Sequence, residues 1–199
     1  MSGVRLERLT GERLKGLLPE LARLRITVFR AFPYLYDGSL DYEERYLQTY
    51  VRTADSVIVG AFDGDRVVGA ATGLPLAAEP SSLTDSFTAH GFEVARVFYF
   101  GESVLLPDYR GHGVGVAFFR EREAHARALG RFDWAAFCGV VRPPEHPRRP
   151  ADYVPLDAFW RKRGFAPIPD LLGHIAWRDL DEAGESVKPM QFWVKDLRS

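Results

Sequence analysis

Hydrophobic positions along the chain switch repeatedly between strand and helix spacing. Residues 3–8, GVRLER, alternate weakly, as an edge strand does. Leucines then recur at 14, 17, 18, 21 and 24, a helical spacing with Pro19 in its middle. Proline lacks an N–H and crowds the preceding turn, so the pattern predicts two consecutive helices. One opens after a Thr10 cap, and the second runs from Pro19 to about Ala31. Tyr42, Tyr46 and Tyr50 recur every four residues and predict one face of a helix over 40–51, most of it turned to the core. Two β-rich runs, Ser56–Phe62 and Arg66–Leu74, flank Asp63-Gly64-Asp65 and predict a hairpin. The following polar stretch, AAEPSSLTDSFTAHGFEVA, has no strong period and allows a short helix near Leu83–His90.

The densest signal is RVFYFGESVLLPDYRGHGVGVAFFREREAHARALG, residues 96–130. Val97 to Leu106 is apolar and β-favouring apart from Gly101, Glu102 and Ser103, and Pro107 and Asp108 end it. Arg110 and the glycines 111, 113 and 115 lead into an amphipathic helix. Glycines allow close approach of a ligand to the backbone, and the free amides of a helix start carry partial positive charge. Together they make an anion cradle suited to phosphate. A P-loop needs Lys-Ser/Thr after its last glycine, and here Val116 and Ala117 follow, while the dinucleotide pattern GxGxxG fails at Phe118. A buried strand, Asp133–Val141, comes next and implies a right-handed parallel crossover whose strands part where a ligand would sit. A proline-rich basic loop, RPPEHPRRPADYVP, leads to a helix from about Pro155 to Gly164, and Leu171–Asp179 with Lys188–Lys195 reads as an antiparallel pair.

Composition narrows the reading further. The formal net charge of −1 gives no general field for nucleic acid or an anionic membrane. Cys138 is the only cysteine, which excludes an internal disulfide and any multi-cysteine metal site. His90, His125, His146 and His174 show no ligand spacing, so no metal is expected, and His112 falls within the cradle. No stretch approaches a membrane span, and a cytoplasmic protein is the expectation.

The turn in residues 107–115, with Arg110, Gly113 and Gly115 matching Gln/Arg-x-x-Gly-x-Gly/Ala, resembles the acyl-CoA-binding segment of the GNAT acetyltransferases. LDAFWRKRGF, residues 156–165, resembles that family's late Phe-Tyr-x-x-x-Gly-Phe element, and the element order β-αα-βββ-α-β-α-ββ is similar to its fold. The resemblance implies a mixed α/β (α+β) fold over residues 1–199 as one domain: a mostly antiparallel sheet with a splayed parallel pair, and helices on both faces. It also implies acetyl-CoA as co-substrate and transfer to a primary amine of a small molecule, and it leaves a homodimer open.

In that family the pyrophosphate lies against backbone amides, here Arg110, Gly111, His112, Gly113, Val114 and Gly115. A main-chain amide at the end of the bulged strand polarises the thioester carbonyl, which would be that of Val104, Leu105 or Leu106. The attacking ammonium must lose a proton. Glu102, a carboxylate interrupting an apolar strand, is the expected base, unless it is paired structurally with Arg96 or another arginine. Glu43 and Glu44 are weaker alternatives. Many relatives protonate the departing thiolate with a tyrosine in the late helix. Here Trp160 stands at that position and indole is no acid at neutral pH, so Tyr153 is the substitute donor and Trp160 packs along the cofactor or in the core. The loop PYLYDGS falls where relatives line the acceptor, which makes Tyr34, Tyr36 and Asp37 substrate-contact candidates; plain packing would explain them equally. The departure at Trp160 keeps a second reading alive, a non-catalytic acyl-CoA-binding module.

Overall fold

The structure, a computed structural model, describes residues 3–198. A single sheet runs through the fold in the order β1-β2-β3-β4-β6-β8-β7, with β5 paired to β3 beside β4. Its strands are β1 (Arg5–Leu9), β2 (Val57–Asp63), β3 (Arg66–Pro75), β4 (Val97–Tyr99), β5 (Ser103–Leu105), β6 (Trp134–Val140), β7 (Ala166–Trp177) and β8 (Ser186–Asp196). Only β4 and β6 run parallel; every other pairing is antiparallel. The helices are α1 (Gly11–Phe29), α2 (Leu40–Arg52), α3 (Ser81–Ala89), α4 (Val114–Ala128) and α5 (Asp157–Arg161). No helix among the described residues is long and apolar enough to cross a membrane.

Strand alternation sorts apolar side chains into two cores, one on each face of the sheet. Along β2, Ile58 joins a core with leucines of α1 and α2, while Val57 and Val59 join a second core with Val114, Phe118 and Phe119 of α4. Along β6, Ala136 and Cys138 belong to the first, and Ala135 and Phe137 to the second. Helices therefore cover both faces, as the resemblance implied.

Three predicted elements differ. The expected break at Pro19 is absent: α1 is one helix of 19 residues with Pro19 inside it. Leu14 and Leu18 before the proline and Leu21, Ala22 and Leu24 after it are all buried, so one continuous face packs on the sheet and outweighs the lost backbone bond. Tyr42 is half exposed, whereas Tyr50 is buried. Four residues advance a helix by about 40° past a full turn, so a four-residue stripe drifts off the core face. The late helix shrinks to five residues, and Gly164, at φ 83°, ends the turn that follows it.

Candidate active site

β4 and β5 are two halves of one strand separated by a bulge. The pairing of Tyr99 with Leu74 and of Ser103 with Ala71 differs in register by one residue, so 100–102 carry one residue more than β3 opposite them. The Gly101 N–H donates to the Thr72 carbonyl (3.1 Å), and the Thr72 N–H donates to the Glu102 carbonyl (3.0 Å). A side chain at 101 could not fit: a Cβ there would meet the Tyr50 phenol oxygen and lie 2.6 Å from Thr72 Oγ1. The extra residue also reverses the alternation. Phe98 and Phe100 point to the α4 face, but Val104 points to the α1 and α2 face. Glu102 shares the parity of Val104, and its carboxylate reaches residues of α1 and α2. Arg122 of α4 holds the bulge from the other side, donating to the carbonyls of Thr72 and Glu102 (3.1 Å each) and to Ser103 Oγ (2.7 Å).

Phe100 is the last residue of this strand tied to β6, through its N–H and the Ala136 carbonyl (2.7 Å). Beyond it β5 stays on β3 and leaves β6, and a cleft of about 2450 Å³ opens between them. A single small ligand needs roughly 300–1,000 Å³, so there is room for two substrates. Glu102, Leu105, Arg110, Gly111, Gly113, Gly115, Tyr153, Trp160, Tyr34, Tyr36 and Asp37 all line it. Val104 and Val114 are instead buried in the cores. His112 is exposed at the turn and does not line the cleft.

The three amides proposed for a carbonyl are not equivalent. The Leu106 N–H already donates to the Val68 carbonyl (2.9 Å), and the register puts Val104, opposite Ala70, in the same phase. The Leu105 N–H has the opposite phase and faces away from β3, toward the cleft. Beyond it, Arg110 Nε donates to the Leu105 carbonyl (3.3 Å). Gly111 and Gly113 have φ of 79° and 81°, and nothing lies within 4 Å of a Cβ at either, so the backbone there fronts open space. Gly113 is the N-cap of α4, whose first amides have no partner within the helix. A phosphate fits this cradle in space and in charge. Trp160 packs in a ring cluster with Phe137 and Trp193, each at 5.0 Å, and its edge covers Gly139. Tyr153 lies edge-on to Phe32 at 4.7 Å in the loop before α5, and burial raises its pKa.

Glu102 is not a free carboxylate. Its Oε1 pairs with Arg25 Nη1 (2.5 Å) and its Oε2 accepts from the Tyr46 hydroxyl (3.1 Å). Arg25, itself buried, also pairs with buried Glu43. Tyr46 shares its hydroxyl with Tyr50 (2.9 Å). Sequence reasoning missed Glu79, which lines the cleft just after β3 and is only partly buried. Burial, and secondarily the charge of Glu102, pushes its carboxyl up to about 7. Its neighbours AAEPSS carry no periodicity, so only the fold brings it to the site. Of the acceptor-loop candidates, Tyr34 donates no charge but supplies its carbonyl to Trp177 Nε1 (3.1 Å) and Arg142 Nη2 (2.8 Å). Tyr36 lies beside Glu43, and burial raises its pKa. Asp37 pairs with Arg178 and more loosely with Arg30 (3.7 Å).

Residues 21–165 match the acetyltransferase (GNAT) family, and the chain belongs to it. No match was found among curated proteins. Solved structures with the same fold include NAA60 of Arabidopsis thaliana in complex with acetyl-CoA, at TM-score 0.63 and 13% identity over 99% of this chain and 100% of that one. A ribosomal-protein-alanine N-acetyltransferase from Brucella melitensis aligns at 0.60 and 16%, covering 96% and 99%. An N-acetyltransferase from Staphylococcus aureus Mu50 aligns at 0.59 and 15%, covering 98% and 99%.

Proposed function

We propose that the chain is an N-acetyltransferase that uses acetyl-CoA to acetylate the primary amine of a small molecule. The observation that carries this is the coincidence, in one cleft, of an anion cradle, a free strand amide and a carboxyl poised near neutrality. Acetyl-CoA, as co-substrate, supplies an acyl carbon activated by its thioester. The amides from Arg110 to Gly115 hold the pyrophosphate, with the α4 N-terminus behind them. The Leu105 N–H donates to the acyl oxygen, a bond that strengthens as charge develops there. Trp160 walls the cofactor side of the cleft.

Glu79, rather than Glu102, takes the proton from the attacking ammonium. A general base works best with a pKa near the working pH, and both Glu102 oxygens are already engaged. Glu102 acts indirectly, by fixing Arg25 and Tyr46 and by raising Glu79. The amine nitrogen forms the new C–N bond as the C–S bond breaks; Tyr153 protonates the sulfur, and the second proton shed by the nitrogen returns to the Tyr153 phenolate through solvent. Tyr34, Tyr36 and Asp37 shape the acceptor end.

The test is thiol release from acetyl-CoA in the presence of a panel of primary amines, with the product identified by mass. Amine-dependent release is expected. Protection of the chain by acetyl-CoA against heating, without release for any amine, would replace this reading with the acyl-CoA-binding module.

A further inference from the structure

At the acceptor end of the cleft the buried carboxylates outnumber the buried cation that holds them. Glu43 and Glu102 are both buried on the one guanidinium of Arg25. The second Glu43 oxygen, Oε1, is buried without a well-formed hydrogen bond, and the Tyr36 hydroxyl is the donor beside Glu43. Glu79 and Glu185 line the same cleft as this group, and the charge of Glu102 acts with burial to raise the Glu79 carboxyl. Neither Glu79 nor Glu185 has an ion-pair partner among the described residues. Of the cations that line this end, Arg142 and Arg178 are paired with carboxylates, whereas Arg45 and Arg149 have no carboxylate partner among the described residues. Arg142 donates to the carbonyls of Pro33 and Tyr34 and pairs with Asp179 (2.8 Å), and Arg178 pairs with Asp37. Arg45 donates to the Asp41 carbonyl on the exposed side of α2, and Arg149 spreads over the Tyr153 ring at 4.9 Å.

Around the carboxylates stand Tyr36, Tyr42, Tyr46, Tyr99 and Trp177. Burial keeps these phenols neutral, so they add apolar area and negatively polarised ring faces without adding charge. Ring faces and uncompensated carboxylates attract the same ligand, a cation with an apolar body. A carboxylate on that ligand, brought to this cluster, would meet Glu79, Glu43 and Glu102, whose buried cation, Arg25, is already shared by two carboxylates.

We propose that the acceptor is a small amine without a carboxylate, bound as its ammonium against Glu79 among Tyr36, Tyr42 and Tyr46. This rests on the acetyl-transfer reading above, and it narrows the acceptor to amines such as decarboxylated amino acids, as opposed to amino acids or protein N-termini.

The test compares matched pairs: tyramine with tyrosine, cadaverine with lysine, and agmatine with arginine, plus one tripeptide with a free N-terminus. Binding is measured by calorimetry on the full chain, with CoA present and absent, and acetyl transfer is measured separately. The decarboxylated member of at least one pair is expected to bind roughly tenfold tighter or more than its parent, because two like charges in a poorly solvated site repel strongly. Glu79→Gln should shrink that ratio to about threefold or less, with the thermal melt showing the variant folded. Equal or tighter binding of the amino acids or the tripeptide would overturn the proposal, as would no binding of any amine. Tighter amine binding without acetyl transfer would leave the proposal standing and defeat the acetyl-transfer reading. Transfer that favours amino acids would do the reverse.

Discussion

Glu79→Gln probes the site at its most sensitive point. The carboxyl is displaced from 4.5 to about 7, chiefly by burial and then by Glu102. At about 1.4 kcal/mol per tenfold the shift corresponds to about 3.5 kcal/mol, which the partial exposure of the carboxyl trims to about 3 kcal/mol. The sign follows from proton linkage. Between pH 4.5 and 7 the folded state holds more proton than the unfolded state, so stability falls as pH rises through that window and levels off above it. Glutamine keeps the shape and cannot ionise. The variant should therefore match the native chain near pH 4.5 and exceed it by up to about 3 kcal/mol at pH 8. For a chain of this size that is about 6–12 °C in melting temperature. Activity should move the opposite way. A base must be ionised to work, so kcat/KM for a fixed amine should rise through pH 7 in the native chain. The variant should lose that limb and about 10²–10⁴-fold in rate. Thermal melts from pH 4.5 to 8.5 and pH–rate profiles at saturating acetyl-CoA measure both. Melting curves that stay parallel across the range would refute the burial argument, and an activity limb at pH 7 that survives in the variant would refute the catalytic one.

Three other perturbations separate the parts of the site. Glu102→Gln removes the like charge that helps raise Glu79, so the kcat/KM limb should shift below pH 7 while affinity for acetyl-CoA stays within about twofold; a limb that does not move would detach the two carboxyls. Gly113→Glu places a charged side chain at φ 81° in front of the cradle, and should abolish protection by acetyl-CoA in thermal melts while the far-UV circular dichroism stays native; retained protection would mean that acetyl-CoA binds elsewhere. Arg25→Met leaves Glu43 and Glu102 buried without their cation, and should cost about 3–5 kcal/mol in urea unfolding at pH 8, less at pH 5; a loss under 1 kcal/mol would show that the pair is not buried as described.

Local features carried most of the fold. The hairpin of β2 and β3 was legible because two β-rich runs flank a turn whose Gly64 takes φ 58°. The turn into α4 was legible because glycines write backbone geometry into the sequence, and Gly111 and Gly113 take φ of 79° and 81°. What failed depended on partners distant in sequence. Pro19 signals a break by local rules, and only packing on both sides of it keeps α1 continuous. Glu102 was visible as a carboxylate in an apolar strand, but its partner, Arg25, sits 77 positions earlier on a face that leucines dominate. Glu79 sits in a stretch without period, and its raised pKa is a property of the cleft around it.

The bulge links these cases. Gly101, Glu102 and Ser103 interrupt an apolar run, and the interruption alone suggests a weak strand. One extra residue does more than weaken pairing. It turns Leu105 so that its amide faces the cleft, and it moves Glu102 from the parity of Phe98 and Phe100 to the face of Arg25 and Tyr46. In an unbulged strand Glu102 would enter the phenylalanine core of α4, where no carboxylate could be ionised without great cost. The same residue count thus sets two features that the proposed acetyl transfer uses, a strand amide free of the sheet and a carboxylate whose charge helps raise Glu79. Gly101 has to be glycine for this, because Tyr50 and Thr72 occupy the space of any Cβ, and Tyr50 belongs to the hydroxyl chain that ends on Glu102. The strand defect and the hydrogen-bonded cluster under the cleft therefore constitute one structure.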